Sequence, residues 1–209
     1  MAKLHQGLFG QFSGKIGNVV GYVVNGKQYA RNHVIPKQAD SAAANANRIK
    51  FSMASRFTSG LKSVLPVLYP ACKGTTMRSK ALKNILNTGF TGEYPNLSID
   101  YSKVVISAGT SQNMLQGKAG ANNSNIKINW HYPKGMGFKE PEYKVILVAY
   151  CEAINKCIFT VTKAEQNNGS AALAVPEFKG ETVHTWLACT SVDKSNGINC
   201  IYTGSFFID

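Results

Sequence analysis

Acidic side chains are almost missing from the first 90 positions, where Asp40 stands alone against 13 lysines and arginines. General acid and base catalysis needs titratable groups gathered in a cleft, and Asp40 is better used as a helix cap. The four histidines, His5, His33, His131 and His184, are scattered, and none stands in a His-Glu-x-x-His or Gly-x-Ser-x-Gly context. Glu140 and Glu142 flank Pro141 in an expected loop and read as a solvated edge, not as a paired acid and base. The sequence therefore predicts a non-catalytic protein, with no catalytic residues and no cofactor.

Closely spaced cysteines are missing as well. Cys72, Cys151, Cys157, Cys189 and Cys200 are odd in number and contain no Cys-x-x-Cys pair, which argues against both a secreted disulfide framework and a structural zinc site. Buried free thiols in a reducing compartment are expected, with no metal ligand among them. No apolar run approaches the roughly 20 residues that span a bilayer, and the start has no apolar stretch before a small-residue cleavage site. These features lead us to expect a soluble, cytoplasmic or particle-associated protein.

What is present is a confined positive charge. The net charge of the chain is +12, and residues 91–209 balance ten lysines against ten acids, so the whole excess lies in 1–90. A confined excess makes a local field that attracts phosphate backbones or acidic protein surfaces. Hydrophobic residues at 44% alongside 16% charged residues indicate a folded chain.

The opening stretch 7–17 holds four glycines among apolar residues and lacks the Gly-Lys-Ser/Thr ending of a phosphate loop, so tight turns or close packing are expected. Asn25-Gly26 predicts a two-residue hairpin turn within 18–34. Pairing Val24 with Lys27 sets Tyr22 opposite Tyr29, Val20 opposite Arg31 and Asn18 opposite His33. One face then carries Tyr22, Lys27, Tyr29, Arg31 and His33, either as a nucleic-acid contact or as plain cross-strand packing.

A helix is predicted from Ser41 to about Leu65, capped by Asp40 or Ser41, with Ile49, Met53, Phe57, Leu61 and Leu65 as its apolar stripe. Arg48, Lys50, Arg56 and Lys62 lie off that stripe and are expected to be exposed. A second helix over 76–88 buries Met77, Ala81, Leu82 and Ile85, exposes Arg78, Lys80 and Lys83, and ends at Gly89 as C-cap. A strand is predicted over 97–107. The stretch 109–124, rich in Gly, Asn and Ser, reads as a linker or long loop. Strand signals follow at 126–131, 143–151, 157–162, 171–175, 182–189 and 198–207, with turns at 152–156, 167–170 and 193–197, the pattern of an antiparallel sandwich.

The text Gly10-Gln11-Phe12-Ser13-Gly14-Lys15-Ile16-Gly17-Asn18-Val19-Val20-Gly21, with the sequence from Gly92-Glu93-Tyr94-Pro95-Asn96 through Val104, resembles an uncharacterised family of proteins of about this length from Bacteroidota. That resemblance implies a domain layout and a bacterial or phage-related source, and carries no activity. The second half resembles a fibronectin type III-like sandwich, in which Ile126-Lys127-Ile128-Asn129-Trp130 matches the strand that delivers a core tryptophan. Such sandwiches serve as spacers or protein-binding modules.

The expected fold is an α+β N-terminal half, a β-hairpin plus two helices, over 1–108. A linker or loop over 109–124 and an all-β immunoglobulin or fibronectin type III-like sandwich over 125–209 complete it. The expected function is sequence-tolerant binding of nucleic acid or another polyanion. Lys27, Arg31, Lys37, Arg48, Lys50, Arg56, Lys62, Arg78, Lys80 and Lys83 would neutralise phosphates, and Tyr22 and Tyr29 would stack on bases or enter a groove. The alternative is a structural or assembly subunit of a surface or phage-derived particle that uses the sandwich for protein contacts.

Overall fold

The computed structural model describes residues 3–4, 12–35, 41–69, 75–107, 116–122, 124–131, 143–164, 168–191 and 199–209. The protein is mostly β, with few helices and several antiparallel sheets. It divides into two compact units, Met1–Asp40 and Ser41–Asp209.

In the first unit, β1 (Lys3–Leu4), β2 (Phe12–Ile16), β3 (Val19–Val24) and β4 (Lys27–Asn32) form an antiparallel sheet in sequence order. Asn25 and Gly26 take φ of 50° and 78°, the double left-handed turn whose twist matches the flanking strands. The register follows from that turn: Val24 faces Lys27, Tyr22 faces Tyr29 and Val20 faces Arg31, and the His33 amide donates to the Asn18 carbonyl at 2.6 Å. Gly21 is buried under Phe12, and a Cβ there would stand 2.3 Å from the Phe12 ring. The Gln28 side-chain amide closes this face by donating to the Phe12 carbonyl at 2.8 Å.

The second unit has three layers. One sheet of the sandwich runs β11 (Asn168–Ala174), β8 (Asn125–His131), β7 (Gln116–Asn122). The facing sheet runs β10 (Lys156–Ala164), β9 (Tyr143–Cys151), β12 (Thr182–Ser191), β13 (Asn199–Phe207). Between them lie Ile126, Ile128, Trp130, Leu173, Val145, Leu147, Ala149, Val183 and Leu187. The outer face of the four-stranded sheet is covered in turn by helices. Ile146, Val148, Tyr150, Trp186 and Ala188 share a core with Phe57, Leu61, Leu65, Ala81 and Ile85.

Double cover explains two sequence features. The run Val145–Cys151 is apolar without alternation because both faces of β9 are buried, whereas β8 alternates because its second face meets solvent. Trp186 and Leu187 both enter cores, on opposite sides of one strand. A bulge between Thr185 and Trp186 reverses the parity of β13, so Cys200 and Tyr202 point to the helices while Phe206 packs toward the other sheet.

Several expectations are corrected. The compact boundary falls at 40/41 and not near 108, because the apolar faces of the helices are buried against the sandwich sheet. Within the expected linker, 116–122 form strand β7, paired along its length with β8. The expected strand over 97–107 is two short pieces. Ser98–Ile99 (β6) pairs with Phe90–Thr91 (β5), and Asp100 then breaks the extension by accepting the Ser102 amide at 3.2 Å, starting a 3-10 turn at Tyr101–Lys103. Positions 168–170 belong to β11, not to a turn, and 193–197 lie outside the described residues.

Helix α1 (Ala42–Gly60) is capped by Ser41, whose hydroxyl accepts the Ala44 amide at 3.2 Å. It ends before Leu65, which opens the separate short helix α2 (Leu65–Leu68). Ile49 is exposed and Met53 only half-buried, contrary to the expected stripe. Steps of four residues advance about 400° around a helix, so the stripe drifts by about 40° per step and cannot keep one heading from 49 to 65. Helix α3 (Thr75–Thr88) ends at Gly89, which is not in a left-handed conformation. Glycine is needed there because a Cβ would lie 2.7 Å from Val104. No helix among the described residues is long and apolar enough to cross a membrane.

Candidate nucleic-acid interface

The turn at Asn25-Gly26 places Val20, Tyr22 and Val24 of β3 on the same face as Arg31, Tyr29 and Lys27 of β4. Lys15 of β2 joins that face opposite Val20. The Tyr22 and Tyr29 rings are near-parallel across the strand pair, with centroids 5.7 Å apart. They are 37% and 44% exposed, too open for a buried packing pair. Lys15, Lys27 and Arg31 are all exposed, and the described residues of this unit include no acid to neutralise them. The sequence reading missed Lys15 because β2 was not recognised as a strand. The signal was Gly17-Asn18, a second two-residue turn with Gly17 at φ 57°.

The remaining expected cations belong to the second unit, apart from Lys37, which lies outside the described residues. Arg48 is exposed and donates to the Asn45 side chain at 2.9 Å, a local i,i+3 contact. Lys50 is half-buried, not exposed as expected, since it lies about 160° around the helix from Arg48. Arg56 is exposed, and its charge and that of Glu152 act oppositely on Tyr101 and Tyr150. Lys62 and Arg78 meet at a groove of about 550 Å³ between α1 and α3, with Leu65, Pro66 and Met77 in its lining. Arg78 is tied across it to the Ser55 hydroxyl at 3.1 Å. Lys80 and Lys83 are exposed on α3. The expected residues thus fall into one continuous face on the first unit and a dispersed set on the second.

Other reactive groups serve packing. Cys151 and Cys189 face the inter-sheet core, while Cys157 and Cys200 face the helices. Complete burial pushes the Cys200 thiol up to about 12, so it is a neutral, unreactive group at ordinary pH. Cys157 is also pushed up by burial, partly offset by Ser63, whose hydroxyl is 3.2 Å away. His184 stacks on Tyr101 at 3.9 Å and lies 3.0 Å from the Tyr202 hydroxyl through Nδ1. Burial lowers its pKa, with Glu152 acting weakly the other way. Tyr101 and Tyr150 are raised by burial first and by Glu152 second, which keeps both phenols protonated.

No curated protein matches the chain significantly. Among solved structures, selenomethionine-substituted chicken interferon gamma receptor alpha chain is similar at 12% identity and a TM-score of 0.34, over 52% of this chain and 56% of that one. The chain thus spans little more than half the length of that structure. A family model described as a family of unknown function, DUF6266, matches residues 11–204, nearly the whole sequence and both structural units. The chain belongs to the DUF6266 family.

Proposed function

We propose that the protein binds nucleic acid without reading its sequence, through the cationic and aromatic face of the β2–β3–β4 sheet. One observation carries this reading: Lys15, Lys27 and Arg31 surround the exposed Tyr22 and Tyr29 pair on a single face, with no acid among the described residues of the unit. Cations that meet phosphates release condensed counterions, so the logarithm of affinity should fall linearly with the logarithm of salt, by about 0.9 per phosphate on duplex DNA. Fluorescence anisotropy with labelled nucleic acid from low to moderate salt tests this. Replacing Lys27 and Arg31 by glutamine should lower both the affinity and the slope, and absence of binding to DNA and RNA at low salt sinks the proposal.

A second reading, assembly with a protein partner, is favoured by a different observation. Gly21 is the one buried residue described in the first unit, while Val34 and Ile35 just beyond β4 are 70% and 79% exposed. A small sheet with so little core gains stability by covering such side chains. The strand order of the sandwich, β11-β8-β7 facing β10-β9-β12-β13, also supports a fibronectin type III-like module of the kind that mediates protein contacts. A defined oligomer by light scattering, indifferent to added nucleic acid, would favour assembly; a monodisperse monomer counts against self-assembly.

A further inference from the structure

We infer that the β4 edge is a stacking site for unpaired bases, so that the preferred ligand is single-stranded nucleic acid. The inference rests on the proposed function and narrows it. Strand β4 is the last in the sheet among the described residues, so Tyr29, 44% exposed, has Tyr22 on one side and no described strand on the other. An aromatic ring in that position can extend its stack by one more planar group. A base within a duplex is already stacked above and below, and must be unpaired or flipped before it can take the place.

The charges follow the same line. Lys27, Tyr29 and Arg31 are two residues apart on one strand and share a face, which spaces cation, ring and cation at about 7 Å intervals. A strand lying along β4 therefore meets a positive group on each side of the ring. Lys15, two strands away and level with Arg31 through Val20, adds charge without adding a ring. Charge alone would attract a duplex equally well; the open ring is what separates the two ligands.

The test uses the full chain, a labelled oligothymidine and a duplex of equal length, with anisotropy measured at two salt concentrations. The oligothymidine should bind more tightly than the duplex. Tyr29→Ala should weaken oligothymidine binding about tenfold, duplex binding much less, and leave the salt slope unchanged, and Tyr29→Phe should retain affinity. Lys27→Gln and Arg31→Gln should weaken both ligands. Equal affinity for the two ligands overturns the stacking inference, as does an unaffected Tyr29→Ala, and polyanion binding through the lysines would still stand. If neither ligand binds wild-type protein at low salt, the inference fails, and the proposed function fails with it when a labelled RNA does not bind either. Unchanged far-ultraviolet circular dichroism of each variant separates lost contact from lost fold.

Discussion

At the scale of single residues, burial lowers the pKa of His184 while Tyr101, Trp186 and Tyr202 pack around it, with Glu152 the carboxylate that opposes the shift. The unfolded chain, with a histidine near pH 6.5, then takes up a proton that the folded chain refuses. Stability from this group is complete above that pH and declines as pH falls through the lowered folded value. Urea midpoints at pH 7.5, 6.5 and 5.5 should show the decline, and His184→Gln should flatten it; parallel curves for the two proteins would refute the assignment. Two glycines make an opposite pair. A Cβ on Gly169 would lie 2.5 Å from the Trp130 ring, whereas one on Gly120 would meet nothing within 4 Å. Gly169→Ala should cost about 1–3 kcal/mol, and Gly120→Ala should be neutral or stabilise by up to about 1 kcal/mol. Thermal denaturation of the two variants decides both.

At the scale of elements, the two halves of α1 carry different weight. Phe57 is buried with its ring 4.7 Å from that of Tyr150 and 5.4 Å from that of Tyr101, while Ile49 faces solvent. Phe57→Ala should cost about 3–5 kcal/mol, and Ile49→Ser, which loses only part of an isoleucine's burial, about 1 kcal/mol, both read from chemical denaturation. Ser41→Ala removes the cap and should cost about 1 kcal/mol. Legibility in the sequence tracked how far local chemistry determined each element. Asn25-Gly26 left one hairpin register, so the Tyr22, Tyr29, Lys27 and Arg31 face was readable in advance. Strand β7 was not, because Gln116-Gly117-Lys118-Ala119-Gly120-Ala121-Asn122 has no β-branched residue. Its place is set by pairing with β8 and by Gly117, which lets Leu187 come close. The helix cations were readable as polar positions, but the drift of the apolar stripe, and with it the half-burial of Lys50, depends on tertiary packing that the local sequence does not encode.

At the scale of the whole molecule, the helices and the four-stranded sheet share one core, so neither should stand alone. A chain of residues 41–209 should unfold cooperatively, whereas 125–209 exposes Ile146, Val148 and Trp186 and should aggregate or remain loosely packed. Comparing the two by circular dichroism and size-exclusion chromatography checks this, and a cooperatively folding 125–209 fragment would refute it. The shared core also sets a timetable for the chain on the ribosome. Phe57 and Leu61 are made early, yet Trp186 and Ala188, against which their layer packs, arrive roughly 130 residues later, on the order of 10 s at ordinary rates of synthesis. Through that interval the helices emerge with their apolar sides uncovered, and that surface stays exposed to aggregation until β12 is complete.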